Sequence, residues 1–247
     1  MKSKKTIVAG PLVLEVIYPR GAGGENPTMR AGKRKLTSEA QKRMNIKYSY
    51  QKLELMLAAN FVPGDLVVTL TYDDEHLPAT RARAVADLKE FRRRLKAARA
   101  RTGRKLRMIW ATEDSFGAGR WHHHCVINAA GEDYSVIRHL WTGGSDVDIA
   151  KLRIDKDHSY EALARYLCKE ARDKPRCRSW SSTRGLQKPQ VEICAVDDDA
   201  PLQAPRGAHV YEDAASRNEF GSWRYIKYLA PDWRSAKRRR APRKQRR

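Results

Sequence analysis

Three adjacent histidines sit in the run Gly119-Arg120-Trp121-His122-His123-His124-Cys125-Val126-Ile127-Asn128, and this run restricts the folds open to the chain. An apolar end and β-branched residues make it a strand, and strand alternation sends His122 and His124 to one face and His123 to the other. A second strand pattern, Leu106-Arg107-Met108-Ile109-Trp110-Ala111-Thr112, precedes it and ends at Glu113. Asp114, Ser115, Phe116, Gly117, Ala118 and Gly119 between them carry turn formers, so the two runs read as an antiparallel hairpin with Glu113 opposite His122. Two imidazoles and a carboxylate then share a face, with coordination positions open to water and a phosphate oxygen, as a catalytic divalent-metal site requires. Two other readings compete: a hydrogen-bonded or solvated histidine edge, and zinc binding through Cys125. Alternation disfavours the second, because Cys125 falls on the face of His123.

With 41% apolar and 32% charged residues in a 247-residue chain, a packed core is available. Fifty Lys and Arg against 29 Asp and Glu give a net charge of +21, concentrated at the ends. Residues 1–35 hold eight basic side chains against Glu15 and Glu25, and residues 234–247 hold nine with no acid. The expected organisation is a basic N-terminal arm over 1–35, a folded domain over 36–200 and a C-terminal extension with a basic tail over 201–247. The tail Lys237-Arg238-Arg239-Arg240-Ala241-Pro242-Arg243-Lys244-Gln245-Arg246-Arg247 suits a counterion-releasing contact with nucleic acid; a merely solvating tail is the alternative. No apolar run reaches the roughly 18–20 residues of a membrane span, and no apolar helix face supports a membrane partner. Pro11 and Glu15 spoil the N-terminus as a signal peptide, so it reads as retained. Cys125, Cys168, Cys177 and Cys194 lack C-x-x-C spacing, which argues against a zinc ribbon or a disulfide scaffold and for a reducing cytoplasm.

Helical spacing runs from Thr37 to Asn60, and Leu66 to Tyr72 is an apolar, β-branched strand. A basic helix over Ala82 to Arg101 follows, then the hairpin, a short helix Tyr134 to Trp141, a strand Asp146 to Ile154 and a helix Ser159 to Arg172. Gln190 to Val196 is expected as the last strand. The order β-α-β-β-α-β predicts an α+β fold: a ferredoxin- or RRM-like antiparallel sheet of about five strands, flanked by helices, with basic terminal arms. Asp197 to Pro201 reads as a linker, and Trp223 to Leu229 as a strand or a short helix.

On the helix from Ser159, Tyr160, Leu163, Ala164, Leu167, Cys168 and Ala171 form one apolar stripe. Tyr166 and Lys169 lie off that stripe, one turn apart. Packing does not account for a tyrosine there, which makes Tyr166 a candidate nucleophile and Lys169 a candidate for holding phosphate or developing negative charge. A half-exposed tyrosine beside a solvated lysine is the plainer reading. Tyr160 fits the core better, while Tyr225 and Tyr228 are remote in sequence yet able to enter the site in space.

These residues together resemble the HUH endonuclease superfamily, in particular the single-tyrosine rolling-circle replication initiators of phages and plasmids. Val68-Thr69-Leu70-Thr71-Tyr72-Asp73-Asp74-Glu75-His76-Leu77-Pro78 resembles its first motif, Glu113 with His122-His123-His124 its metal-binding motif, and Tyr166-Leu167-Cys168-Lys169 its Y-x-x-K motif. The family favours a bulky apolar residue where this chain has His123. The resemblance spans about residues 36–196. It implies Mg²⁺ or Mn²⁺ on Glu113, His122 and His124, and attack by Tyr166, with Lys169 assisting, on a phosphodiester of a single-stranded or hairpin origin. The products would be a 5′-phosphotyrosine link and a free 3′-hydroxyl. Arg92, Arg93, Arg120, Trp180, Arg184 and Lys188 are the candidate strand-holding residues, through charge neutralisation and stacking. The chain has no G-x-x-x-x-G-K-[ST] run, so unwinding would fall to a helicase, and synthesis to a polymerase, of a bacterial host whose cytoplasm would hold the protein. Three alternatives stay open: a transposase or mobilisation relaxase of the same superfamily, a phosphodiesterase that uses water, and a non-catalytic RRM-like nucleic-acid-binding protein. The last would carry aromatic residues at the RNP strand positions, which are not found.

Overall fold

The structure, a computed structural model, describes residues 1–20, 39–115, 117–131, 133–154, 159–169, 179–218, 221–231 and 233. The tail Lys237–Arg247 and residues 21–35 of the expected N-terminal arm lie outside them. The chain divides into two compact units, Arg43–Gln187 and Met1–Lys42 with Lys188–Arg247. No helix among the described residues is long and apolar enough to cross a membrane.

The first unit holds α1 (Glu39–Asn60), most of which falls within it, and a five-stranded antiparallel sheet. Its further elements are β3 (Leu66–Thr71), α2 (Arg81–Arg101), β4 (Met108–Glu113), β5 (His122–Ile127), α3 (Asp133–Leu140), β6 (Val147–Lys151), α4 (Tyr160–Leu167) and β7 (Ser181–Ser182). Strand order is β6-β3-β5-β4-β7. The first four strands in chain order therefore stand 4-1-3-2, the ferredoxin-like arrangement that β-α-β-β-α-β connectivity produces. The expected hairpin forms in the expected register, with Glu113 opposite His122 and Ala111 opposite His124. On its other side β5 pairs with β3, placing Thr69 opposite His124 and Thr71 opposite His122.

The period-two pattern separates two faces. Leu66, Val68, Leu70, Met108, Cys125 and Ile127 pack with Leu88, Phe91 and Leu95 of α2 and with Ile137 of α3. Burying a side chain such as Phe91 contributes about 1.5–3 kcal/mol, and this set makes that face a sealed core. Helix α2 starts cleanly because the Thr80 hydroxyl accepts from the Arg83 amide. The opposite face carries His122, His124 and Glu113, and α4 lies over it. Helix α4 is anchored by Tyr160, whose buried hydroxyl donates to the Phe61 carbonyl at 2.8 Å, and it is shorter than the expected Ser159–Arg172; residues 170–172 lie outside the described set. At the end of β3 the chain passes close to itself. A Cβ on Gly143 would stand 2.5 Å from the Trp141 ring, and one on Gly144 2.7 Å from the Asp73 amide nitrogen. Glycine there lets the Gly143 carbonyl accept the Asp73 N–H at 3.0 Å.

The second unit corrects two expectations. Lys2–Ala9 (β1) and Leu12–Pro19 (β2), expected within a basic arm, form a hairpin at the heart of another antiparallel sheet. Gln190–Val196 (β8), expected as the last strand of the histidine-bearing sheet, pairs instead with β1. Leu12, Leu14 and Ile17 supply the apolar residues that the basic composition of residues 1–35 had hidden. Trp223–Leu229 is a strand within β10 (Gly221–Leu229), which pairs with β2 and with β9 (His209–Asn218), so the order is β8-β1-β2-β10-β9. Val13, Ile17, Leu202, Ile226 and Tyr228 form its core, which is where Tyr228 is used.

Candidate metal centre and nucleophile

Glu113, His122 and His124 come together as alternation predicts, their ligand atoms all within 4.8 Å of one another. Glu113 and His124 are each 3% exposed. The Glu113 Oε2 atom lies 3.5 Å from His122 Nε2, 3.3 Å from His124 Nε2 and 3.2 Å from Lys169 Nζ. These neighbours are close, but none is aimed at either carboxylate oxygen as a well-directed hydrogen-bond donor. A buried carboxylate costs free energy without a partner. Lone pairs converging on a common point rather than on one another fit a bound cation, and the cluster could hold a metal ion. Burial alone would raise the Glu113 carboxyl, yet the two imidazoles and the Lys169 ammonium outweigh it and hold it at about 2.

The outer hydrogen bonds set the imidazoles. His122 Nδ1 lies 3.2 Å from the Arg120 carbonyl, which can only accept; the proton is therefore on Nδ1, and the Nε2 lone pair faces Glu113. His124 Nδ1 lies 3.2 Å from Thr69 Oγ1. Thr69 was not singled out from the sequence as a site residue, although its signal was present: Thr69 and Thr71 alternate with the core residues Val68 and Leu70, marking a polar face on a buried strand.

His123 is directed to the other face. It is fully buried, with Nδ1 3.0 Å from Thr112 Oγ1 and Nε2 3.1 Å from the Tyr72 hydroxyl. Burial, then the neighbouring imidazoles, push it down to about 3, which keeps it neutral and structural. Cys125 is buried on that same face, where burial pushes its thiol up.

Tyr166 projects from α4 at 45% exposure, its hydroxyl 3.3 Å from His124 Nε2. Lys169 sits just past the end of α4, with Nζ 4.1 Å from the centre of the Tyr166 ring. Burial would lower the Lys169 ammonium, but Glu113 and then Tyr166 raise it above its ordinary value.

The residues expected to hold a strand do not gather at this cluster. The Arg92 guanidinium lies 5.0 Å from the centre of the Trp110 ring, on the face covered by α2. Arg93 is tied to Glu90 at 2.7 Å. Arg120 is nearest, in the β4–β5 connection, where it pairs with Asp74. Trp180 is half-buried just before β7, Arg184 is exposed after it, and Lys188 belongs to the other unit. Tyr225 lies on β10 of that other unit.

No curated protein and no solved structure matches the chain. Residues 65–174, a span that contains Glu113, His122, His124, Tyr166 and Lys169, match the family model of the replication-associated protein ORF2.

Proposed function

We propose that this chain is a replication-associated DNA nicking enzyme of the HUH type, with Tyr166 as nucleophile. The observation that carries the reading is the Tyr166 hydroxyl, half-exposed and 3.3 Å from a nitrogen of the buried Glu113–His122–His124 cluster. A phenol with an ordinary pKa of about 10 is a weak nucleophile at neutral pH. A divalent ion on the cluster, Mg²⁺ or Mn²⁺, would polarise the phosphate when bound. Glu113, His122 and His124 would hold that ion. Tyr166 attacks phosphorus, its Oη–P bond forms as the P–O3′ bond breaks, the phenol proton leaves to solvent, and the departing O3′ takes up a proton. The 5′-phosphate stays on Tyr166, and the free 3′-hydroxyl primes synthesis by a host polymerase. The substrate is a single-stranded or hairpin origin, opened by a host helicase in the bacterial cytoplasm. The match of residues 65–174 to replication-associated proteins favours this reading over transposition or mobilisation, which use the same chemistry.

The test is incubation with labelled origin-region oligonucleotides and Mn²⁺, followed by denaturing electrophoresis. A covalent adduct that is lost in Tyr166→Phe is expected. Metal-dependent cleavage without an adduct would assign the nucleophile to water, and salt-sensitive binding without cleavage would make the protein a non-catalytic binder.

A further inference from the structure

Among the contacts of the cluster, the one between Lys169 and Glu113 has no place in a simple ligand set. The ammonium lies 3.2 Å from Oε2, the same oxygen that both imidazoles approach at 3.5 and 3.3 Å. An ammonium beside the one carboxylate of a cation site competes with a dication for that charge, and the two cations repel each other at such range. The Lys169 side chain is 28% exposed against 3% for Glu113, so the ammonium has a way out that the carboxylate lacks. It also has somewhere to go, because it already lies over the Tyr166 ring, 4.1 Å from its centre. Rotation of the long side chain moves the charge away from Glu113 while keeping it beside the nucleophile.

We propose that Lys169 is a resident counter-ion of Glu113 that a divalent metal displaces, and that the displaced ammonium is handed to the substrate phosphate. This rests on the reading of the cluster as a metal centre for phosphodiester chemistry. Lys169 is then the link between two binding events. Metal entry frees the cation that the phosphate needs, and phosphate binding removes the cation that opposes the metal. By linkage each strengthens the other by the same factor. A lysine that only braced α4, or only held phosphate, would not oppose the metal.

The experiment uses the full-length chain stripped with a chelator and has three readouts besides turnover. Isothermal titration with Mn²⁺ compares wild type, K169M and K169R, with circular dichroism as the check on folding. K169M is expected to bind at least about fivefold more tightly than wild type, the lower end of a typical coupling, and K169R to stay near wild type. Amine-reactive labelling read by peptide mass spectrometry is expected to rise at Lys169 on adding Mg²⁺, with the exposed Lys89 and Lys96 unchanged. In a Y166F background, Mg²⁺ is expected to tighten binding of a single-stranded oligodeoxynucleotide, and K169M to reduce that gain. Equal or weaker Mn²⁺ binding by K169M, with labelling unchanged, would overturn the exchange while leaving the metal centre standing. No Mn²⁺ binding by either wild type or K169M would overturn the metal centre and the exchange with it.

Discussion

Thr69 and Thr112 make the same contact on opposite faces of one sheet, and the pair gives a test of how the site is built. Thr69 Oγ1 lies 3.2 Å from Nδ1 of His124, a residue of the metal cluster, whereas Thr112 Oγ1 lies 3.0 Å from Nδ1 of His123, a residue of the core. Thr69→Val keeps the shape and removes the partner that fixes the His124 tautomer. With Nδ1 unpaired, the proton can move to Nε2 and occupy the lone pair that faces Glu113. Loss of such an outer hydrogen bond costs about 10–100-fold in metal affinity, which is about 1.4–2.8 kcal/mol at 1.4 per decade. Thr112→Val leaves His123 with the Tyr72 hydroxyl at 3.1 Å but strips Nδ1 in a site closed to water. That change should cost about 1–3 kcal/mol of folding stability and leave the metal alone. Mn²⁺ titration calorimetry and urea melts on both variants separate the two effects. Wild-type Mn²⁺ affinity in Thr69→Val, or an equal loss of affinity in Thr112→Val, would refute the assignment of tautomer control to Thr69.

Three further outcomes follow from the same geometry. Tyr166→Phe should abolish the DNA adduct and keep Mn²⁺ affinity, whereas Tyr160→Phe, which loses the buried bond to Phe61, should lower stability by about 1 kcal/mol and keep adduct formation; gel and melt assays on both variants decide. His123 is held at about 3 against an ordinary 6.5, so the unfolded chain binds the extra proton. Its stabilisation is complete above about pH 6.5 and is lost as pH falls toward 3, and urea midpoints should therefore drop more steeply from pH 7 to 5 in wild type than in His123→Gln. Asp73 Oδ1 lies 2.6 Å from His76 Nδ1 and raises that histidine above 6.5. The contact is strongest while His76 is charged, so it weakens as pH rises through the raised value; proton NMR should show His76 returning toward 6.5 in Asp73→Asn.

The histidine-bearing unit was legible because its signals are local. Alternation in Met108–Glu113 and His122–Ile127 fixed both the faces and the register, and the stripe on the helix from Ser159 left Tyr166 and Lys169 aside from the core. The second unit was not legible, because its sheet joins Lys2–Ala9 to Gln190–Val196 and Leu12–Pro19 to Gly221–Leu229 across nearly the whole chain. No local pattern encodes such pairings, and the lysines of β1 disguised a core strand as a charged arm. Charge also misdirected the search for a DNA contact: Arg92 and Arg93 looked like a basic patch, but one stacks on Trp110 and the other is neutralised by Glu90.

The two halves of the site come from very different distances along the chain. The cation ligands are written within one hairpin, while the tyrosine hydroxyl reaches His124 from 42 positions downstream on a short helix pinned at its start. Those two inheritances can diverge separately. A lineage could lose or replace the tyrosine on that helix and keep an intact metal grip, turning a strand-transferring enzyme into a hydrolytic one, whereas any change of register in the hairpin would cost both activities at once.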